Sequence, residues 1–278
     1  MVAGAAPTAD AGVVRFEDVR LRFGDREVLT GVSFVLGRGE TLVLLGVTGS
    51  GKTLILKLAL GLLRPASGRI FLFAQDITEL EEEDLYPLRA RLGIVFQEGA
   101  LFDSLTVFEN VAFRLLEERE HGGKDHSDAE IEERVRQVLR FVELEPAIDK
   151  LPAELSGGMK RRVGIARALI TEPDAILYDS PTGGLDPVTS HTINTLIIKS
   201  RDVSHVSALV VTHRLQDAFT YANHTFDADA QQLRPARTNG AQATRTRFLL
   251  LRDGRISFDG SPRDFQAQTD SYVQRFLV

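Results

Sequence analysis

Apolar and polar residues alternate from Val13 to Leu36, with Gly24-Asp25 and Gly31 as breakers, a pattern that predicts antiparallel strands. The runs Thr41-Leu42-Val43-Leu44-Leu45, Gly93-Ile94-Val95-Phe96, Ala175-Ile176-Leu177-Tyr178-Asp179 and Ser207-Ala208-Leu209-Val210-Val211 behave differently. They are nearly continuously apolar, as expected of strands covered on both faces. Between the first two, Lys52 to Leu63 predicts a helix with Ile55, Leu56, Leu58 and Ala59 inward.

From Thr106 to Ala147 the chain reads as mainly helical, with a polar break at His121-Gly122-Gly123-Lys124. Ser127 with Glu130 three residues on has capping-box spacing, and Ile131, Val135, Val138 and Val142 mark one apolar face. A further helix is expected from Met159 to Ile170, so a helical insert of about 104–170 separates two of the buried strands. The periodicity then fails from Asp227 to Arg247, which predicts an exposed, irregular and mobile insertion over about 227–247. Phe248-Leu249-Leu250-Leu251 and Arg255-Ile256-Ser257-Phe258 flank Asp253-Gly254, a hairpin signal. Met1 to Gly12 is rich in Ala and Gly, with no basic start and no long apolar stretch. It is expected to be a disordered tail rather than a secretory signal, leaving 13–278 as the folded domain.

Composition narrows the function classes. The 278 residues carry a formal charge of −6, which does not favour nucleic acid as a partner. No cysteine is present, so disulfides, thiolate metal sites and thiol catalysis are excluded. No apolar run approaches the roughly 20 residues that cross a bilayer, and the expectation is a soluble, cytosolic protein.

Two glycine-rich turns carry the chemistry. Gly46-Val47-Thr48-Gly49-Ser50-Gly51-Lys52-Thr53 follows a strand and opens a helix, the context a phosphate-cradling P-loop requires. Gly46, Thr48, Gly49, Ser50 and Gly51 would bring backbone N–H groups to the phosphates, Lys52 would reach the terminal ones, and the Thr53 hydroxyl is a Mg²⁺ ligand candidate. Asp179 ends an apolar strand, where a carboxylate has little structural reason to sit, and is the second Mg²⁺ candidate. Leu155-Ser156-Gly157-Gly158-Met159 opens another helix, whose N-terminus offers free N–H groups to an anion. Alone, Ser156 could equally be an ordinary N-cap.

Together these residues resemble the ATP-binding cassette (ABC) family from about Val13 to the C-terminus. The resemblance implies an α/β P-loop NTPase fold of ABC type, with a mixed central sheet, an antiparallel β subdomain and an inserted helical subdomain. It implies ATP and Mg²⁺ as ligands and assigns roles by motif. Phe23 would stack on adenine. Gln97 would be the Q-loop glutamine near Mg²⁺, Gly184-Leu185-Asp186 the D-loop, and His213 the switch histidine. Two cassettes would pair as a homodimer, Ser156 and Gly158 of one reaching the nucleotide on the P-loop of the other. A membrane permease would dock beside the Q-loop and the helical insert, placing the chain peripherally on the inner face of the cytoplasmic membrane.

Met159-Lys160-Arg161-Arg162 after the signature glycines, and the run from Phe96-Gln97-Glu98 to Leu105-Thr106-Val107, are similar to the Mla/MCE-associated group. That group serves phospholipid or other lipid transporters of the bacterial envelope, so an MCE-domain protein is an implied partner. Other readings stay open at this point: a cassette for another solute, a non-transport ABC protein, or a nucleotide-gated module without turnover.

One position departs from the family. Ser180 follows Asp179 where a catalytic glutamate is normal, and serine is a poor base. Binding of MgATP should survive while hydrolysis slows, unless Gln97, His213 or Asp186 compensates. Basic residues suggest surfaces: Lys160, Arg161, Arg162 and Arg167 on a solvated or permease-facing side, and Arg234, Arg237, Arg245 and Arg247 in a solvated insertion that could meet anionic lipid head groups.

Overall fold

The computed structural model describes residues 12–120, 126–236, 244–270 and 272–274. The tail before Gly12, the polar break at 121–124 and residues 237–243 lie outside this set.

The chain begins with β1 (Val14–Phe23) and β2 (Arg26–Leu36), followed by β3 (Thr41–Leu45), α1 (Lys52–Ala59), β4 (Ser67–Leu72), β5 (Gln75–Asp76), α2 (Glu82–Arg89) and β6 (Leu92–Val95). The helical insert supplies α3 (Val107–Glu120), α4 (Asp128–Phe141) and α5 (Gly157–Leu169). Then come β7 (Ala175–Asp179), α6 (Pro187–Ser204), β8 (Ser207–Thr212), α7 (Leu215–Asn223), β9 (His224–Asp227), β10 (Gln232–Pro235), β11 (Thr246–Arg252), β12 (Arg255–Gly260) and α8 (Pro262–Gln266).

Six strands form one sheet in the order β12-β11-β3-β8-β7-β6, with β11 through β6 parallel and β12 antiparallel at the edge. The amphipathic N-terminal strands do not join it; β2-β1-β4-β5 make a separate antiparallel sheet. The continuous apolar runs are explained by what covers them. Val43, Leu45, Tyr178, Val210 and Leu250 face a core shared with the helical insert and α6, whereas Leu42, Leu44, Leu177, Val211 and Leu251 face a core shared with α1 and the antiparallel sheet. Successive side chains point to opposite faces, so a strand with two cores must be apolar at every position.

Several local expectations change. Gly31 does not break a strand; it lies inside β2 at φ +101, unpaired between Thr30, opposite Arg20, and Val32, opposite Val19. Such a bulge inserts one extra residue and leaves the strand continuous. The first helix ends at Ala59 rather than Leu63, because Gly61 turns left-handed (φ +66) and the N–H of Leu62 closes on the Lys57 carbonyl. The capping box is formed: Ser127 Oγ accepts from Glu130 N while Glu130 accepts from Ser127 N at 2.8 Å.

The region 227–247 is not irregular throughout. Gln232–Pro235 pairs antiparallel with His224–Asp227, and Thr246 and Arg247 already belong to β11, where they pair with Thr41 and Leu42 of β3. Two of its arginines form ion pairs. Arg234 pairs with Asp227 at 3.2 Å, and Arg247 with Glu40 and Asp259 at 2.7 Å each. Arg234 keeps its solvated position while paired, whereas Arg247 is half-buried between its two carboxylates. Arg161, Arg162 and Arg167 also donate to backbone carbonyls, of Gly183, of Val142 and Glu143, and of Gly99, instead of forming a solvated face.

Candidate nucleotide-binding site

Parallel strands present all their C-terminal ends to one edge, and in open α/β sheets that edge is where ligands bind. Here the order β3-β8-β7-β6 brings four loops to it: the loop after Leu45, His213 after β8, Ser180 after β7 and Gln97 after β6. They surround a cavity of about 420 Å³ lined by Thr48, Gly49, Gly51, Lys52, Thr53, Leu54, Gln97, Ser180 and His213.

The loop from Gly46 to Gly51 is built for close backbone approach. A Cβ on Gly46 would lie 2.7 Å from Ser50 Oγ and 2.9 Å from the Leu251 carbonyl, so a larger residue would force the loop or its neighbours to shift. Gly51 caps α1 at φ +100, a conformation that strongly favours glycine. Lys52 is only 6% exposed, and its Nζ donates to the carbonyls of Gly46 (2.9 Å) and Val47 (2.8 Å). Burial lowers the pKa of its ammonium, and the Asp179 carboxylate partly opposes that shift. Ser50 Oγ is buried and has no protein hydrogen-bond partner.

Nucleotide phosphates and a magnesium ion fit this arrangement. The loop supplies a glycine cradle, an orphaned hydroxyl and one ammonium for a polyanion. Among the described residues no group of three or more His, Asp or Glu could hold a metal alone. A hard cation would draw on the Thr53 hydroxyl, the Asp179 carboxylate, the Gln97 amide and the phosphates themselves, the donor set typical of magnesium bound with a nucleotide.

The remaining candidates fall in different places. Asp179 closes β7 and is buried. Ser180 sits at φ +46 and 9% exposed; its N–H continues the ladder to the Val211 carbonyl at 2.8 Å, and its hydroxyl is 3.4 Å from Asp179 Oδ1. No carboxylate is among the residues lining the cavity. Asp186 is engaged elsewhere as the N-cap of α6, accepting from Val188 N and Thr189 N at 3.0 Å each; the Thr189 hydroxyl first, and these backbone bonds with it, hold its pKa down. Phe23 stands 51% exposed at the end of β1 and does not line the cavity.

Ser156 and Gly158 are not brought to this cavity either. Ser156 Oγ caps α5 by accepting Met159 N at 3.3 Å, and Gly158 packs so closely on α6 that a Cβ would meet Thr189 Cγ2 at 2.3 Å. The turn they form borders a second cavity of about 560 Å³, shared by Gln97, Gly157, Lys160, Arg161, Gly183 and Leu185. Gln97 alone lines both. Sequence reasoning passed over Thr182, Arg214 and Asp217, which hold the turn after Ser180; nothing in their local spacing marks them.

Comparison with known proteins gives a consistent picture. The ABC transporter family model matches residues 29–183. The chain is 36% identical over 283 aligned positions to Protein TRIGALACTOSYLDIACYLGLYCEROL 3, chloroplastic, of Arabidopsis thaliana, covering 96% of this chain and 73% of that protein. It is 34% identical to the intermembrane phospholipid transport system ATP-binding protein MlaF of Haemophilus influenzae, covering 95% of this chain and 98% of the relative. A probable ribonucleotide transport ATP-binding protein, mkl, of Mycobacterium tuberculosis is 41% identical over 71% of this chain, and the match spans only 54% of mkl. Among solved structures, the ATP-binding cassette MJ0796, dimeric and bound to ADP and Pi in a post-hydrolysis state, superposes with a TM-score of 0.73. Its identity is 28%, covering 89% of this chain and 98% of that one.

Proposed function

Because the chain belongs to the ABC transporter family of ATP-binding cassettes, we propose that it powers the movement of phospholipid, or another hydrophobic substrate, through a separate permease. The observation that carries this reading is the convergence of Lys52, Thr53, Gln97 and His213 on one cavity in a chain that matches a phospholipid-system ATPase over nearly its whole length.

In this reading Lys52 and the backbone of the Gly46–Gly51 loop hold the phosphates, and Thr53, Asp179 and Gln97 hold magnesium, which would neutralise phosphate charge. Phe23, exposed at the end of β1, stacks on the adenine. A second copy contributes Ser156 and Gly158, so nucleotide closes the homodimer. Among the described residues no helix is long and apolar enough to cross a membrane. The chain would sit at the inner face of the cytoplasmic membrane, against a permease that spans it. The permease's docking segment would enter the groove of about 300 Å³ floored by Leu92, Ile94, Phe96, Phe102 and Phe113 beside the helical insert. An MCE-domain protein would complete the assembly.

Affinity purification of the tagged chain from detergent-solubilised membranes tests this directly. Recovery of a polytopic permease together with an MCE-domain protein is expected. Recovery with a permease for a polar solute, or of the cassette alone, would overturn it.

A second reading concerns rate, and Ser180 favours it. A serine hydroxyl directed at Asp179 cannot accept a proton from water as a glutamate does. Loss of a general base slows the chemical step by about 10²- to 10⁴-fold. In this reading the cassette binds MgATP and hydrolyses it slowly.

A further inference from the structure

The turn that follows Ser180 is clamped by side chains that belong to neither glycine-rich turn. Thr182 is fully buried and donates its hydroxyl to Asp217 Oδ2. The other carboxylate oxygen accepts from Asn194 Nδ2 at 2.8 Å, and Asn194 Oδ1 in turn accepts from the Tyr221 hydroxyl at 2.6 Å. Arg214 Nε lies 3.7 Å from Asp217 Oδ2, while its Nη1 donates to the Thr182 carbonyl (3.1 Å) and to Ser190 Oγ (3.0 Å). From the opposite side, Arg161 Nη2 donates to the Gly183 carbonyl at 2.8 Å.

Asp217 is 3% exposed. A buried carboxylate is costly unless it is fully partnered, and a buried ion pair is often no more stable than apolar residues of the same volume. Stability alone therefore gives little reason for a carboxylate here. Position gives one. Arg214 is the residue after His213, and Asp217 lies in the first turn of α7. Thr182 is two residues beyond Ser180, whose carbonyl also accepts from Gly183 N at 2.9 Å. The carboxylate and guanidinium thus join the His213 side of the cavity to its Ser180 side, through both the hydroxyl and the carbonyl of one threonine.

We propose that Asp217 is a positioning residue for ATP hydrolysis: acting through Thr182, with Arg214 on the same residue, it fixes the Ser180 turn relative to His213. This rests on the ATPase reading above. Phosphoryl transfer depends on positioning more than on covalent chemistry, so a displaced turn slows turnover without loosening the glycine cradle on the other side of the cavity.

The test uses the purified full chain, single-turnover hydrolysis of MgATP, the MgATP dissociation constant and the melting temperature. Thr182→Val keeps the volume and removes the hydroxyl; the hydrolysis rate should fall roughly 10- to 100-fold while the dissociation constant stays within about 2-fold. Thr182→Ser, which restores the hydroxyl, should recover the rate to within about 3-fold. A purely structural role would instead move the melting temperature without this split. Wild-type hydrolysis by Thr182→Val, equal slowing in the serine variant, or a matching loss of nucleotide affinity would overturn the proposal. If Thr182→Val does not fold, Arg214→Gln reads the same turn: slowed hydrolysis at unchanged affinity supports it, and an unchanged rate overturns it. A wild type that binds no MgATP sinks the functional reading, and this inference with it, whereas binding with no effect of either variant sinks the inference alone.

Discussion

The loop at Gly46–Lys52 and the turn at Ser180–Asp186 both follow buried parallel strands at the same edge of the sheet, yet they are held in opposite ways. Lys52 is anchored to carbonyls 6 and 5 residues away, so the loop is built from its own neighbourhood. The second turn is held by Asp217, Arg214 and Arg161, at separations of 35, 32 and 22 residues. The first arrangement is that of a self-contained phosphate cradle; the second depends on four elements packing together. Under the function proposed above, binding and turnover are specified by separate parts of the chain, and a change in one need not disturb the other.

The sharpest way to probe that separation is at Ser180. Replacing it with glutamate should raise steady-state ATP hydrolysis by about 10²- to 10⁴-fold while leaving MgATP affinity nearly unchanged. A wild type that already turns over briskly, with no gain from the variant, would show that the second turn carries a base of its own. Lys52→Ala attacks the other region. Hydrogen bonds to charged groups contribute about 1.5–3 kcal/mol, so the MgATP dissociation constant should rise roughly 10- to 150-fold by titration calorimetry. Equal affinity in this variant would mean that the loop is not the phosphate site.

Ser156→Ala has the smallest expected effect. Loss of the N-cap costs about 1 kcal/mol, or roughly 2–4 °C in melting temperature at this chain size. If the serine also meets nucleotide across a subunit boundary, sedimentation with saturating MgATP should show weaker dimerisation of the variant than of wild type. Dimerisation unaffected by the change would leave Ser156 as a cap and nothing more.

Much of the architecture could be read before any coordinates. The nearly continuous apolar runs in Thr41–Leu45 and Ala175–Asp179 require cover on both faces, and the structure supplies two cores. Asp253-Gly254 marked its hairpin because both residues take positive φ, at +50 and +75. The stretch 227–247 was harder. Gln232–Pro235 has little apolar character, because β10 pairs with β9 and its side chains remain largely exposed. Gly31 misled for a similar reason, since a glycine that admits a bulge has the same letter as one that ends a strand.

What the sequence determined by itself is the chemistry whose parts are contiguous: the phosphate loop, the capped helix at Ser156, and the serine beside Asp179. These depend on local backbone conformation and on which functional group stands next to which, and both are written in neighbouring letters. Tertiary structure alone decided which arginines face solvent, where Gln97 stands between two cavities, and that Asp217 reaches Thr182. Those outcomes depend on how the strands order and how α6 and α7 pack over them. Separation along the chain carries no record of that packing.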